Sequence, residues 1–255
     1  MNRTLGLAVV TFNEASRIEA CLASVPFAID KVVVDSQSTD DTRTLAARSG
    51  ARVIEKKWAG YSDQKQFALD QLNTDWILCL DADEFLTVEA QNEIRKLLSQ
   101  AEIPHHGFRI PRFHVFMRRV IYHGKGVDYP LRLVKKGSAR YSGRAIHEEL
   151  LLDGEPGTLR RGMVHESSPT FVSRLKKMKR DVNAEEQYFV GNPRAITFGS
   201  LFLVPIKHFF SYLVKHEGWR DGPKGWLVIL LSAIQLFWLE LSYLKFKFFG
   251  ARRSY

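Results

Sequence analysis

Cysteine is scarce in this chain of 255 residues, which contains only Cys21 and Cys79. Both cysteines fall inside segments that we predict to be helix or strand, so buried thiols in a reducing compartment are favoured over a disulfide. An apolar targeting segment is also missing, because Met1–Thr4 leads directly into the first predicted strand. These absences argue against a disulfide-stapled secreted fold and favour a cytoplasmic location.

The chain also lacks internal repeats, low-complexity tracts, a recognised nucleic-acid-binding module and an aromatic platform for stacking bases. We therefore expect no nucleic-acid partner. The length is sufficient to bury a substantial core, and it predicts one large α/β domain with an appendage.

The first part of the chain has no net charge. Residues 1–159 contain 21 Lys and Arg and 21 Asp and Glu, whereas residues 160–255 contain 16 and 7, so the whole net charge of +9 is C-terminal. A basic helix is predicted over Phe171–Tyr188, with apolar residues near helical spacing on one face. Such a face packs on protein or lipid, and a solvated helix is the alternative.

Long apolar runs accompany this charge, at residues 201–206 and 226–239. The second run has 14 residues without a charge, shorter than the ~20 that a membrane span needs. We predict an interfacial or re-entrant helix on an anionic membrane surface. A core helix or a dimer contact is the alternative, and the oligomeric state stays open.

Four short apolar runs indicate buried parallel strands: Leu5–Val10, Lys31–Val34, Ala51–Ile54 and Trp76–Leu80. Helices are predicted between them, the first capped by Asn13, the second by Thr39 or Asp40, and the third beginning at Ser62. This alternation predicts a mostly parallel sheet with helices on both faces and a ligand at the carboxyl ends of the strands. Residues 107–152 are predicted to be short strands joined by turns.

Polar residues follow three of these strands. They are Thr11-Phe12-Asn13-Glu14, the run from Asp35 to Thr42, and Asp81-Ala82-Asp83-Glu84. Two carboxylates one residue apart lie on the same side of an extended backbone and suit a hard divalent cation, Mg²⁺ or Mn²⁺. The sequence therefore predicts a metal and nucleotide site at one edge of the sheet.

These three segments, in this order and spacing, resemble the family 2 inverting glycosyltransferases, which have the GT-A fold. The residues 143–148 (Gly-Arg-Ala-Ile-His-Glu) and 217–222 (Glu-Gly-Trp-Arg-Asp-Gly) extend the resemblance to the branch that adds glucose to the inner-core heptose of bacterial lipopolysaccharide. The resemblance covers most of the chain.

The resemblance implies roles for individual residues at the nucleotide sugar. Asp83 is the expected metal ligand, and Asp81 is expected to hold the ribose, or the metal through water. Asp35 is expected at the uracil or ribose. The remaining nucleotide contacts are expected from Thr11, Asn13, Glu14 and Lys65, although a solvated lysine is the alternative for Lys65.

An inverting transfer is a single displacement, so one carboxylate must take the proton of the acceptor hydroxyl. Glu148 matches the acidic residue of the family at this place, with Glu149 as the alternative. Arg144 and His147 are candidates for binding an anionic group or orienting the acceptor. His165 is a candidate further metal ligand, because some GT-A enzymes take one from a late histidine.

Together these features predict a GT-A catalytic domain over residues 1–165, with the nucleotide sugar bound by 1–100 and the acceptor side formed by 101–165. A helical, basic, membrane-associating region is predicted over 166–255. The expected reaction moves a hexose, glucose being favoured, from a UDP-sugar to a lipid-linked saccharide acceptor at the cytoplasmic side of the inner membrane, where the protein is peripheral. A polyprenyl-phosphate sugar transferase and a non-catalytic membrane-binding scaffold are the alternatives.

Overall fold

Four adjacent parallel strands form one side of a seven-stranded sheet in this computed structural model, which describes residues 3–142, 149–166, 170–189 and 198–249. They are β1 (Leu5–Thr11), β2 (Asp30–Asp35), β3 (Arg52–Glu55) and β4 (Trp76–Asp81). All four predicted strands are confirmed to within one residue, but only three of them are buried, because β3 is the edge strand and has exposed or half-exposed residues throughout. Their apolar runs form strands because both faces of the sheet are covered.

The chain divides into two compact units. The first contains Met1–Arg112 and Asp128–His165, and the second contains Phe113–Val127 and Glu166–Tyr255. The first unit holds α1 (Ile18–Ala23), α2 (Thr42–Arg48), α3 (Tyr61–Asp70) and α4 (Val88–Leu98).

The later strands are short. They are β5 (Glu84–Leu86), β6 (Gly107–Arg109), β7 (Arg112–Phe116), β8 (Arg119–Ile121), β9 (Val127–Asp128), β10 (Leu131–Lys135), β11 (Ala139–Tyr141), β12 (Leu150–Leu152), β13 (Gly157–Thr158) and β14 (Met163–His165). The order in the large sheet is β13-β6-β10-β4-β1-β2-β3, and β10 runs antiparallel to β4. The sheet is therefore mixed, and the predicted α/β class is confirmed.

Helices cover both faces of this sheet, as predicted. Alternate strand residues point to opposite faces, so Leu7 joins a core cluster with residues of α1, α2 and α4, while Ala8 joins a second cluster with residues of α3. Cys21 and Cys79 are buried free thiols, as predicted, and burial raises the pKa of Cys79 to about 11.

The helix caps were predicted less well than the helices. Asn13 does not cap α1, which begins at Ile18 with no side-chain cap. Asn13 instead has a φ of 55°, and its side-chain oxygen accepts the Thr39 N–H. Asp40 accepts the N–H of Thr42 at the start of α2. The prediction failed at Asn13 because a residue with a left-handed backbone and a distant partner leaves no local sequence signal.

The second unit is mainly helical. It contains α5 (Phe171–Phe189), α6 (Phe198–Phe210), a π-helical turn (Ser211–Lys215), a 3₁₀ turn (Gly218–Asp221) and α7 (Gly222–Phe249). The predicted helix after residue 171 is confirmed. Among the described residues, one helical segment, Gly218–Lys245, is long and apolar enough to cross a membrane, although 39% of its most apolar window is buried in the protein.

Candidate active site at the ends of the central strands

The carboxyl ends of β2, β1 and β4 bring three predicted site residues to one edge of the sheet. Thr11 pairs with Asp35 in the β1–β2 register, and Val10 pairs with Asp81 in the β1–β4 register. Because the strands are parallel, the loops that follow them leave the sheet at the same edge. The polar loops of the first unit therefore lie together at the carboxyl ends of these strands.

Asp35 organises the loop after β2. Its carboxylate is fully buried and accepts the Ser38 N–H at 2.8 Å and the Ser38 hydroxyl. The Ser38 oxygen in turn accepts the Asn13 N–H at 2.8 Å, and the Asn13 side chain accepts the Thr39 N–H at 2.8 Å. Asp35 and Asn13 thus join two loops before any ligand is bound.

Thr11 is the last residue of β1, and Glu14 lies in the loop that follows. Glu14 contacts Arg17 at 2.6 Å, and its N–H donates to Thr42 Oγ1 at 2.8 Å. Burial raises the pKa of Glu14, and Arg17 opposes that rise. The Thr11 hydroxyl is buried and has no hydrogen-bond partner among the described residues, which is unusual for a buried polar atom.

Asp81 is held between two cations. Lys65 Nζ on α3 lies 2.8 Å from Asp81 Oδ1, and Arg132 Nη2 on β10 lies 2.8 Å from Asp81 Oδ2. Burial alone would raise the pKa of Asp81, but Lys65 and Arg132 outweigh it and hold that pKa well below its usual range. Asp81 is therefore a fixed carboxylate, and Lys65 is a buried partner rather than a solvated lysine.

Glu84 contacts the same arginine and holds the loop after β4 in place. The sequence did not predict a role for it. It is fully buried and accepts from Arg132 Nη2 at 2.8 Å, from Arg112 Nη1 at 2.7 Å and from the Asp81 N–H at 3.1 Å. Arg112 also forms a bidentate pair with Asp128, at 2.8 and 2.6 Å. Glu84 thus links the loop after β4 to both arginines.

Arg132 was also missed by sequence reasoning. It is the extra residue where the register between β10 and β6 shifts between Leu131 and Leu133, and such a bulge re-aims a side chain. Glu84 and Asp81 raise its pKa well above the usual value against the effect of burial. A charged residue inside an apolar strand was the available signal, since a buried arginine requires an acidic partner.

Asp83 contacts His165, which β14 carries. His165 Nε2 lies 3.2 Å from Asp83 Oδ2, and both side chains are largely buried. Burial would raise the pKa of Asp83, but the hydrogen bond and charge of His165 lower it overall. The structure thus brings together the two residues that the resemblance assigned to a metal.

The Asp83–His165 pair fits a divalent cation. Its carboxylate oxygen and imidazole nitrogen lie 3.2 Å apart, and both atoms are of the kinds that bind divalent cations. No group of three His, Cys, Asp or Glu capable of holding a metal occurs among the described residues. Substrate phosphates commonly complete such a sphere when the protein supplies one or two carboxylates.

The predicted catalytic base, Glu148, lies outside the described residues, as do Arg144 and His147. Its role stays a prediction. The alternative base, Glu149, is described: its backbone oxygen accepts the Ser142 N–H at 2.9 Å, next to the β11–β12 pair.

The first half of the chain matches a known protein family. Residues 7–133 match the family described as "Glycosyl transferase family 2". This range includes the strand-end residues from Thr11 to Arg132, but neither His165 nor the candidate bases Glu148 and Glu149.

One similar relative is the "Lipopolysaccharide core biosynthesis glycosyltransferase LpsC" of Rhizobium meliloti (strain 1021), 28% identical over 90% of this chain and 87% of that protein. An "Uncharacterized glycosyltransferase" of Rickettsia felis is 49% identical over 36% of this chain, and the match covers 32% of that protein.

A solved structure of glucosyl-3-phosphoglycerate synthase from Mycobacterium tuberculosis, in complex with Mn²⁺, UDP and phosphoglyceric acid, has 22% identity. The similarity covers 45% of this chain and 43% of the other, with a TM-score of 0.34.

Proposed function

We propose a specific transfer reaction for this glycosyltransferase, whose chain belongs to glycosyl transferase family 2. The donor is a nucleoside-diphosphate sugar, UDP-glucose being the first choice. The acceptor is a hydroxyl of an inner-core heptose on a lipid-linked saccharide. The first unit has the GT-A arrangement, and the second unit attaches the enzyme to the cytoplasmic face of the inner membrane.

The observation that carries the proposal is the cluster after β4, where Asp81 is fixed between Lys65 and Arg132 and Asp83 is paired with His165. A carboxylate with both oxygens already oriented is suited to accept hydroxyls of a ribose. The adjacent Asp83 and His165 present an oxygen and a nitrogen that a divalent cation would bind in place of their mutual contact.

Charge balance in this cluster supports a metal-dependent donor. Among the described residues, its five carboxylates, Glu14, Asp81, Asp83, Glu84 and Asp128, outnumber by one its four permanent cations, Arg17, Lys65, Arg112 and Arg132. A diphosphate entering this site needs further positive charge. Mg²⁺ or Mn²⁺ held by Asp83 and His165 would supply it and would stabilise the charge that develops on the leaving diphosphate.

The chain's own residues then have separate tasks. Lys65 and Arg132 hold Asp81 in place, and the Asp35–Ser38–Asn13 network shapes the loop that receives the nucleoside. Glu148 is the proposed base that accepts the proton of the acceptor hydroxyl as the new glycosidic bond forms, opposite the departing diphosphate.

The lipopolysaccharide acceptor is supported by the similarity to the Rhizobium relative, which extends over 90% of this chain and so includes the second unit. A polyprenyl phosphate is the competing acceptor. Product analysis separates the two, because the core-heptose reaction gives an acid-stable glycoside. An acid-labile sugar phosphate as the product would refute the heptose acceptor.

Donor class is tested by the thermal stabilisation of the purified protein with UDP, GDP and CDP, each with and without Mn²⁺. A ligand at a hundred times its Kd contributes about 2.7 kcal/mol of stability, which is readily measured. We expect UDP to stabilise only when Mn²⁺ is present. Stabilisation by GDP alone, or by UDP equally without metal, would contradict the proposed donor or the proposed metal.

A further inference from the structure

Two helices of the second unit expose large apolar side chains at a spacing of four residues. On α6 these are Phe202, Ile206 and Phe210, and on α7 they are Trp226, Leu230 and Ile234. Each of the six is 45–58% exposed. Side chains four residues apart lie on the same face of a helix, so each helix presents an apolar stripe.

The two stripes face the same side. The helices run antiparallel, since Leu201 packs with Tyr243 and Leu244 while His208 Nε2 lies 2.9 Å from Ser232 Oγ. A groove of about 290 Å³ between them is lined entirely by apolar residues of the two helices, which include five of the six stripe residues. A continuous exposed apolar surface of this kind marks a site of interaction.

The charges around this surface are basic. The segment from the start of α6 to Lys215 has no Asp or Glu in its sequence, and Lys207 and Lys215 are exposed. Of the three acidic residues that follow, Glu217 contacts Arg220 at 2.8 Å, Asp221 is buried and accepts N–H groups of residues 122 and 123, and Glu240 is half-buried. This combination is complementary to anionic lipid headgroups.

The opposite side of α7 is occupied by protein. Val228 and Leu231 are buried in a cluster with Phe116, Ile121 and Met178. An isolated bilayer-spanning helix needs apolar surface along its whole length and around its circumference, whereas α7 offers lipid only one stripe. Tryptophans at the edge of such a stripe suit the headgroup level of a membrane.

We infer that α6 and α7 together form a lipid-docking face that lies in the plane of one leaflet of an anionic bilayer, without crossing it. The inference rests on the membrane attachment proposed above but not on the transfer reaction. Vesicle binding and sugar transfer are therefore measured separately. A failure of the docking inference can then be distinguished from a failure of the proposed reaction.

The first test is sedimentation of the full chain with vesicles of phosphatidylcholine alone and of equal phosphatidylcholine and phosphatidylglycerol. We expect binding to the anionic vesicles. In the double variant Ile206→Asp/Ile234→Asp the affinity for these vesicles should fall by at least about tenfold, because charged groups enter apolar lipid at high cost. Ile29→Asp is the matched control, since Ile29 is equally apolar and 69% exposed in the first unit. Lys207→Gln and Lys215→Gln should each weaken binding about fivefold.

Circular dichroism shows whether the double variant remains folded, and Ile234→Asp alone replaces it if it does not. The inference would be overturned if the protein binds neither kind of vesicle but forms a dimer that Ile234→Asp dissociates. The apolar face would then be an interface between two copies of the protein. Equal binding by the wild type and a folded Ile234→Asp variant would also overturn it.

The second test measures depth. Trp226 and Trp238 are separated along α7 by about 18 Å at 1.5 Å per residue. We compare quenching by lipids brominated at shallow and deep acyl positions, present in the outer leaflet only, in the wild type, Trp226→Phe and Trp238→Phe. Equal depths for the two tryptophans support an in-plane helix, whereas depths that differ by most of this length would show a crossing helix and refute the inference.

Discussion

Replacing Glu84 by glutamine should destabilise the first unit although it changes only one atom. Glu84 is fully buried and accepts hydrogen bonds from Arg112, Arg132 and the Asp81 N–H. Glutamine retains one acceptor oxygen but presents an amide NH₂ to a guanidinium, and the charge that balances the two arginines is lost. Breaking a buried ion pair from one side costs about 3–5 kcal/mol.

The expected cost is at the lower end of that range, about 3 kcal/mol, because Arg132 keeps Asp81 and Arg112 keeps Asp128 as partners. For a domain of 150–250 residues each kcal/mol shifts Tm by about 2–4 °C. The Tm of Glu84→Gln should therefore fall by roughly 6–12 °C.

Thermal unfolding followed by tryptophan fluorescence measures this shift, with Glu102→Gln as a control that makes the same chemical change at an exposed position. The control should change stability by less than about 0.5 kcal/mol. A cycle with Arg132→Gln should show a coupling of about 0.5–3 kcal/mol. A Tm for Glu84→Gln equal to that of the control, or additive effects in the cycle, would show that Glu84 does not hold the arginines.

Three further predictions concern the strand-end loops. Asp83→Asn should remove the Mn²⁺-dependent stabilisation by UDP while leaving the Tm without ligand within about 2–4 °C of wild type; retention of the full ligand shift would show that Asp83 is not a metal ligand. The pKa of Asp81 is lowered by folding, so its contribution to stability is present above the unfolded-chain pKa of about 3.9 and is lost as the pH falls towards the folded value. Urea unfolding between pH 2 and pH 6 should therefore show a weaker acid dependence in Asp81→Asn, and an unchanged profile would contradict the Lys65–Asp81–Arg132 arrangement. Asn13→Ala should cost about 1–2 kcal/mol because of the left-handed backbone, and Asn13→Gly should recover much of that in the same urea assay.

The sequence by itself determined the central strands and the chemistry at their ends. A strand covered on both faces must be apolar throughout, so the runs ending at Val10, Val34 and Leu80 were visible without a structure. Parallel strands deliver their following loops to one edge, which is why Asp35, Asp81 and Asp83 were correctly expected there. The family followed from the same three segments.

Partner choice within the site was decided by the tertiary structure. Arg132 reaches Asp81 because β10 pairs antiparallel with β4, while its register with β6 shifts at that residue. This arrangement depends on contacts between residues about fifty positions apart. The burial of Glu84, the use of Lys65 by Asp81 and the bond between Asn13 and Thr39 arise in the same way.

The second unit shows the same division. Its apolar runs and its excess of basic residues are visible in the sequence, and they predicted helices with an affinity for lipid. Composition does not say which side of a helix is free. Residues 113–127 belong to this unit, and its helix α7 buries Val228 and Leu231 while leaving Leu230 and Ile234 exposed. That choice depends on which other helices and strands pack against α7, and such packing exists only in the folded chain.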